Sequence, residues 1–206
     1  MSAAPLTLTL VRHGATDWNA EGRWQGWTDT PLGTLGQTQA RQLARRLAGH
    51  RFDAAYASDL SRALRTAEII LPSVVVTRDA RLRELNFGQY EGATRETIQN
   101  DPRYAAWQMD PWTLPAPGGE SLLTVADRLQ AWAEELPGGQ VVAVSHGAAI
   151  RALLCALFGW PATPQPGYVL PFAYRLAHTG LTRLSRREGR WTLHTYNDHA
   201  HLDGGD

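Results

Sequence analysis

The run Val141-Val142-Ala143-Val144 shows no polar alternation, so a strand built from it must be covered on both faces. That restricts the chain to a sheet lying between two layers of helices. A second strand-forming run, Leu6 to Val11, leads through Arg12 to His13-Gly14, much as Ser145 leads to His146-Gly147. Ala40, Leu43, Ala44, Leu47 and Ala48 fall at helical spacing after Thr34, with Gln37 placed to close a capping box and Gly49 to stop the helix. Asp53–Ala57 reads as a short buried strand, Asp59–Leu71 as a helix and Val74–Thr77 as a β-branched strand. Ser121 opens a helix carrying Leu122, Val125, Ala126, Leu129, Trp132, Ala133 and Leu136 on one side, and Pro137-Gly138-Gly139 ends it. Ala148–Phe158 follows as a further helix. Val169–Leu176, Gly180–Ser185 and Trp191–Tyr196 read as closing strands, with a turn at Glu188-Gly189. The expected class is α/β: a three-layer α/β/α sandwich with a mostly parallel central sheet and ligands at the carboxyl ends of its strands.

With 206 residues and 43% hydrophobic content, residues 1–206 are expected to form one domain. The Pro-, Gly- and Trp-rich stretch 101–119 breaks the strand-helix alternation and is available as a lid. All 20 basic residues are arginine, balanced by 20 acidic ones, so Schiff-base and phosphate-loop lysine chemistry is excluded. Zero net charge and scattered arginines give no pull toward nucleic acid. Cys155 is the only cysteine, so it cannot form an internal disulfide, and a reducing compartment fits. Arg151 interrupts the most hydrophobic helix, and no basic segment precedes a long apolar one near Met1. A soluble cytoplasmic protein without membrane partners is the expectation.

Four strand-end motifs carry the chemistry. Arg12 and His13 come off a strand end together, and a guanidinium beside an imidazole keeps it neutral, with a lone pair for attack on phosphorus. Ser58-Asp59-Leu60-Ser61-Arg62 puts Arg62 in the first turn of a helix, where the backbone already favours an anion. Glu84 lies in an apolar stretch, Leu82 to Gly88, whose desolvation should hold its proton and suit a general acid. Glu91 is the competing carboxylate and reads as a structural hydrogen-bond acceptor. His146 is placed to donate to an oxygen of the group that His13 attacks, the alternative being a satisfied core histidine.

Leu10 to Gly14, Ser58 to Arg62 with Arg65-Thr66-Ala67-Glu68, Leu82 to Gly92, and Val144 to Gly147 together resemble the histidine phosphatase superfamily, phosphoglycerate mutase-like branch. The tail Trp191 to Leu202 is similar to the ends of small bacterial phosphatases of that branch. The resemblance implies that His13 takes the phosphoryl group, that Arg12, Arg62 and His146 hold its oxygens, and that Glu84 protonates the leaving group. It also implies polar contacts from Asn19, Gln25 and Gly26, and places Gly147 among the binding residues. Ala15 departs from the family, which commonly has glutamate or glutamine there.

The expected function is metal-independent hydrolysis of a small phosphorylated metabolite, with no cofactor. Phosphoglycerate mutase activity and a catalytically silent phospholigand-binding module are the alternatives, and a homodimer stays open. A tail cluster, His194, Asp198, His199, His201 and Asp203, supplies metal-ligating residue types, but no rigid element fixes them. Trp107, Trp112, Phe87 and Tyr90 are candidates either for pocket walls or for core.

Overall fold

A computed structural model describes residues 4–164 and 170–203. Along the chain these form β1 (Leu6–Arg12), α1 (Asp17–Ala20), α2 (Thr34–Leu47), β2 (Ala54–Ala57), α3 (Ser61–Ile70), β3 (Val76–Arg78), α4 (Arg95–Ile98), α5 (Pro102–Met109), α6 (Leu122–Glu134), β4 (Gly139–Ser145), α7 (Gly147–Phe158), β5 (Leu181–Arg187) and β6 (Arg190–Asp198). The sheet order is β3-β2-β4-β1-β5-β6. The first four strands in that order are parallel, and β5 and β6 close the sheet antiparallel.

Alternation within the strands divides the core between two faces. Leu6, Leu8, Leu10, Val141 and Ala143 pack with the apolar sides of α6 and α7. Val11, Ala55, Ala57, Val142 and Val144 pack with α2 and α3 on the other face. The non-alternating run in β4 is therefore apolar because helices cover both sides of it. Each fully buried leucine in these layers contributes roughly 1.5–3 kcal/mol. Ser121 caps α6 by accepting from Thr124 N at 3.1 Å. At its other end Arg186 of β5 donates to the carbonyls of Ala133, Glu134 and Leu136, satisfying groups a helix terminus leaves open.

Several elements differ from the sequence expectation. No capping box opens α2: its N-cap is Gly33, which has no side chain to cap with, because Thr34 is already inside the helix, and Gly33 N donates to Ala15 O, docking the first turn onto the loop after β1. Residues 170–176 form no strand, and Val169 lies outside the described residues. Their carbonyls go to arginines instead, Leu176 O accepting from Arg12 Nη1 at 2.6 Å and Tyr174 O from Arg151 Nη1 at 3.4 Å. Residues 101–119 contain α5, and Tyr104, Trp107 and Ala116 are buried in the larger core cluster. Among the described residues no helix is long and apolar enough to cross a membrane.

Candidate active site

Because β1 and β4 are parallel neighbours with Arg12 opposite Ser145, the next residue of each leaves the sheet at the same edge. His13 N donates to Ser145 O at 2.9 Å, and the His13 and His146 ring centroids lie 5.0 Å apart. His13 Nδ1 lies 2.7 Å from Gly14 O. A carbonyl only accepts, so Nδ1 carries the hydrogen and Nε2 keeps its lone pair. The turn demands glycine: a Cβ on Gly14 would stand 2.5 Å from Gly36 O. Thr66 locks it by accepting from Gly14 N at 3.1 Å and donating to Arg62 O at 2.7 Å.

Arg62 lies in the first turn of α3, 1% exposed, and donates to Gly26 O at 2.7 Å and Thr28 O at 3.0 Å. Burial lowers the pKa of both Arg12 and Arg62 to about 10, which leaves them charged at neutral pH. Burial, then Arg62 and Arg12, push His13 well below the ordinary histidine range. Burial, then Arg62 and His13, do the same to His146. Arg12 Nε, Arg62 Nε and both ring nitrogens of His146 are buried without a hydrogen-bond partner among the described residues. Such a set is costly unless an anion accepts from it.

Glu84 corrects one expectation. Its surroundings are not apolar: Oε1 accepts from Leu85 N and Ala149 N, each at 2.9 Å, and Oε2 from Ala148 N at 3.1 Å. The carboxylate thus sits on the amino end of α7, half-buried, facing the cavity. Arg128 holds the Glu84 carbonyl at 2.8 Å, and Trp27 Nε1 holds it from the other side at 2.8 Å. Glu91 accepts from Trp27 N, Thr28 N and Phe87 N, joining two loops.

A cavity of about 410 Å³ opens over this edge. Arg12, His13, Arg62, Glu84, Asn19, Gln25, Gly26 and Gly147 all line it, and His146 is fully buried beside His13. Asn19 Oδ1 accepts from Thr16, and Gln25 Oε1 from Thr16 and Thr30. Gly26 has φ +53, and a Cβ there would meet Glu91 Oε1 at 2.0 Å. Phe87 lines the cavity, whereas Tyr90 and Trp107 are core residues and Trp112 packs half-buried against that core. At the position of the family departure, Ala15 N donates to Gln39 Oε1 of α2 at 2.9 Å.

Sequence reasoning missed Arg151, Trp24, Arg23 and Arg95 on the cavity wall, and His178, whose ring is 5.9 Å from His13. Arg151 could have been found, since it lies four residues after Gly147 on the same helix face. His178 sits in an irregular segment with no local signal. Burial, then Arg12, lowers its pKa to about 3.

The tail residues are engaged elsewhere. Asp198 pairs with Arg46, His201 Nε2 lies 2.9 Å from Thr179 Oγ1, and His199 Nδ1 2.7 Å from Asn197 O. Among the described residues no group of three or more His, Cys, Asp or Glu could hold a metal ion.

The profile of the histidine phosphatase superfamily (branch 1) matches residues 8–199. The chain belongs to that superfamily. It is 35% identical to a probable phosphoglycerate mutase, GpmB, of Salmonella choleraesuis (strain SC-B67), over 96% of this chain and 95% of the relative. A mycobacterial glucosyl-3-phosphoglycerate phosphatase superposes with a TM-score of 0.81 at 33% identity, covering 94% of this chain and 99% of its own. Phosphoserine phosphatase of Entamoeba histolytica, solved with 3-phosphoglyceric acid, gives 0.81 at 31%, covering 96% and 99%.

In this histidine phosphatase the buried neutral imidazoles make stability depend on pH. An unfolded histidine titrates near 6.5, whereas His13, His146 and His178 titrate lower in the fold. Below pH 6.5 the unfolded chain binds protons the native one refuses, so stability falls as pH drops from 6.5 toward the folded values. The expected loss is about 1 kcal/mol per histidine per pH unit. Thermal melting from pH 7.5 to 5.5 checks it: Tm should change little above pH 6.5 and fall below it, and a Tm constant below pH 6.5 contradicts the assignment.

Proposed function

We propose that the protein hydrolyses small phosphate monoesters through a phosphohistidine on His13, without a metal ion. The observation that carries this reading is the neutral His13 ring, its Nδ1 hydrogen held by Gly14 O, flanked by two buried guanidiniums with unpartnered Nε donors. The family and its phosphatase members support a phosphoric monoester hydrolase.

A phosphate monoester is close to a dianion, and each cation at about 4 Å contributes about 4 kcal/mol at an effective dielectric near 20. Arg12 and Arg62 supply that attraction, and His146 adds a donor to the same group. In the first step a bond forms from His13 Nε2 to phosphorus while the bond to the leaving oxygen breaks, and Glu84 gives that oxygen its proton. In the second step water oxygen bonds phosphorus, the N–P bond breaks, and the Glu84 carboxylate takes the proton of the water. Asn19, Gln25, Gly26 and Gly147 shape the cavity around the group being transferred.

The relative described as a probable phosphoglycerate mutase favours a second reading, in which the phosphoryl group returns to a hydroxyl of the bound product. Transfer needs water excluded, and none of residues 101–119 lines the cavity. Hydrolysis is therefore preferred. A small phosphorylated metabolite is the partner, and a reducing cytoplasm suits the free, buried Cys155.

Phosphate release from p-nitrophenyl phosphate, measured with EDTA present, tests the reading. Continued release is expected. No release points to a silent module, loss on adding EDTA to a metal enzyme, and isomerisation of 3-phosphoglycerate outrunning phosphate release to a mutase.

A further inference from the structure

The stretch that carries Glu84 has no regular structure of its own: residues 83–87 lie outside every helix and strand, between short 3-10 turns at Ala80–Leu82 and Gly88–Tyr90. No backbone ladder fixes the carbonyls there, and side chains from distant elements do so instead. Arg128 of α6 reaches three of them. Its Nη1 donates to Arg81 O at 2.6 Å and to Arg83 O at 2.7 Å, and its Nη2 to Glu84 O at 2.8 Å. Ser145 Oγ takes the intervening Leu82 O at 2.8 Å. Every carbonyl from residue 81 to residue 84 is thus fixed by a side-chain donor.

The guanidinium is itself held in place. Glu120 accepts from Arg128 Nε through Oε1 and from Nη2 through Oε2, each at 3.0 Å. The same Oε2 accepts from Asn86 N at 3.0 Å, and Glu120 N donates to Asn86 O at 2.9 Å, so the pair grips the stretch on both sides of Glu84. The side chains of Arg128 and Glu120 are only 15% and 14% exposed, which spares this ion pair the solvent screening of a surface one. Trp27 Nε1 supplies a second donor to Glu84 O at 2.8 Å, and the Trp27 ring lies 4.7 Å from the Arg83 guanidinium. With its carbonyl held, the Glu84 carboxylate falls at the amino end of α7. His146, the N-cap, makes no side-chain cap there, and Ala148 N and Ala149 N donate to Glu84 instead.

We propose that Arg128 is a positioning residue of the reaction, which acts through the carbonyls of residues 81, 83 and 84 to set the Glu84 carboxyl against α7 and toward the leaving oxygen. The inference rests on Glu84 as the general acid of the proposed function. A proton donor must stay within hydrogen-bond reach of the oxygen it serves, and a displacement of about 1 Å costs on the order of 10²-fold. Loss of the clamp therefore shows first in esters whose leaving oxygen must be protonated. Binding of the phosphoryl group belongs to Arg12 and Arg62 and is kept. The planar fork is what the role requires: a lysine ammonium keeps the charge beside Glu120 but has no fork with which to span three carbonyls.

Arg128→Lys, with kcat measured on glycerol 3-phosphate and on p-nitrophenyl phosphate, tests the proposal. The alkyl ester is expected to slow about 30-fold and the nitrophenyl ester about threefold, so that their ratio moves about tenfold while KM stays within about twofold. A residue that merely supports the fold slows both esters alike. Trp27→Phe keeps a ring beside Arg83 and removes only the second donor to Glu84 O; it should move the ratio the same way by about threefold, and it carries the test if Arg128→Lys does not fold. Amide hydrogen exchange gives a readout that needs no turnover. The amides of Ala148 and Ala149 should exchange about tenfold faster in either variant, while those of Val142 and Val144 in β4 keep their protection. Equal slowing of the two esters, or unchanged exchange at both helix-end amides, overturns the proposal. If the wild-type protein releases phosphate from neither ester, the phosphatase reading falls, and exchange at residues 148 and 149 alone decides whether Arg128 places Glu84.

Discussion

Replacing His13 with alanine is expected to lower phosphate release by roughly 10⁴-fold or more, the scale on which removing a covalent nucleophile acts. The reason is geometric. Gly14 O fixes the tautomer, so one nitrogen only is free to attack. Steady-state hydrolysis and acid-labile labelling by a radiolabelled donor should disappear together. If label remained on the protein at full stoichiometry after the change, the nucleophile would be another residue. The binding of inorganic phosphate should survive, since Arg12 and Arg62 are untouched, and this separates lost chemistry from a lost fold.

Glu84→Gln should slow alkyl phosphates by roughly 10²- to 10³-fold, the range of general acid catalysis, while p-nitrophenyl phosphate, whose leaving group needs no proton, should suffer far less. The comparison between substrates is essential here, because the Glu84 carboxylate also accepts from Leu85, Ala148 and Ala149. An amide cannot reproduce all three acceptances, so Glu84→Gln disturbs the start of α7 as well. That disturbance slows every substrate alike. Only loss of proton donation separates alkyl from nitrophenyl esters, and equal slowing of both would remove Glu84 from the acid role.

Much of the layout was legible because it follows from local rules. Consecutive apolar residues in β1 and the absence of alternation in β4 both report that two faces are covered, and the apolar face of α6 is buried residue for residue. Arg62 in the first turn of α3 was likewise readable from a strand followed by a helix start. The setting of Glu84 was not. Its neighbours in sequence are apolar, but its two oxygens face backbone N–H groups of residues 148 and 149, more than sixty positions away. Residues 170–176 misled for a similar reason: Leu170, Phe172, Tyr174 and Leu176 alternate as a strand would, yet distant arginines capture two of their carbonyls.

The amino-acid order alone determined the layers, the family, and which side chains end at the carboxyl edge of the sheet, because strand and helix periodicity and strand-end motifs are properties of short segments. Tertiary structure decided what each of those side chains faces. The pairing of β1 with β4 brought two imidazoles within 5.0 Å, burial beside guanidiniums kept them neutral, and the junction of residues 23 and 94 put Arg95 on the cavity wall. Electrostatic environment depends on distances between segments that lie far apart in the chain, and only folding sets those distances.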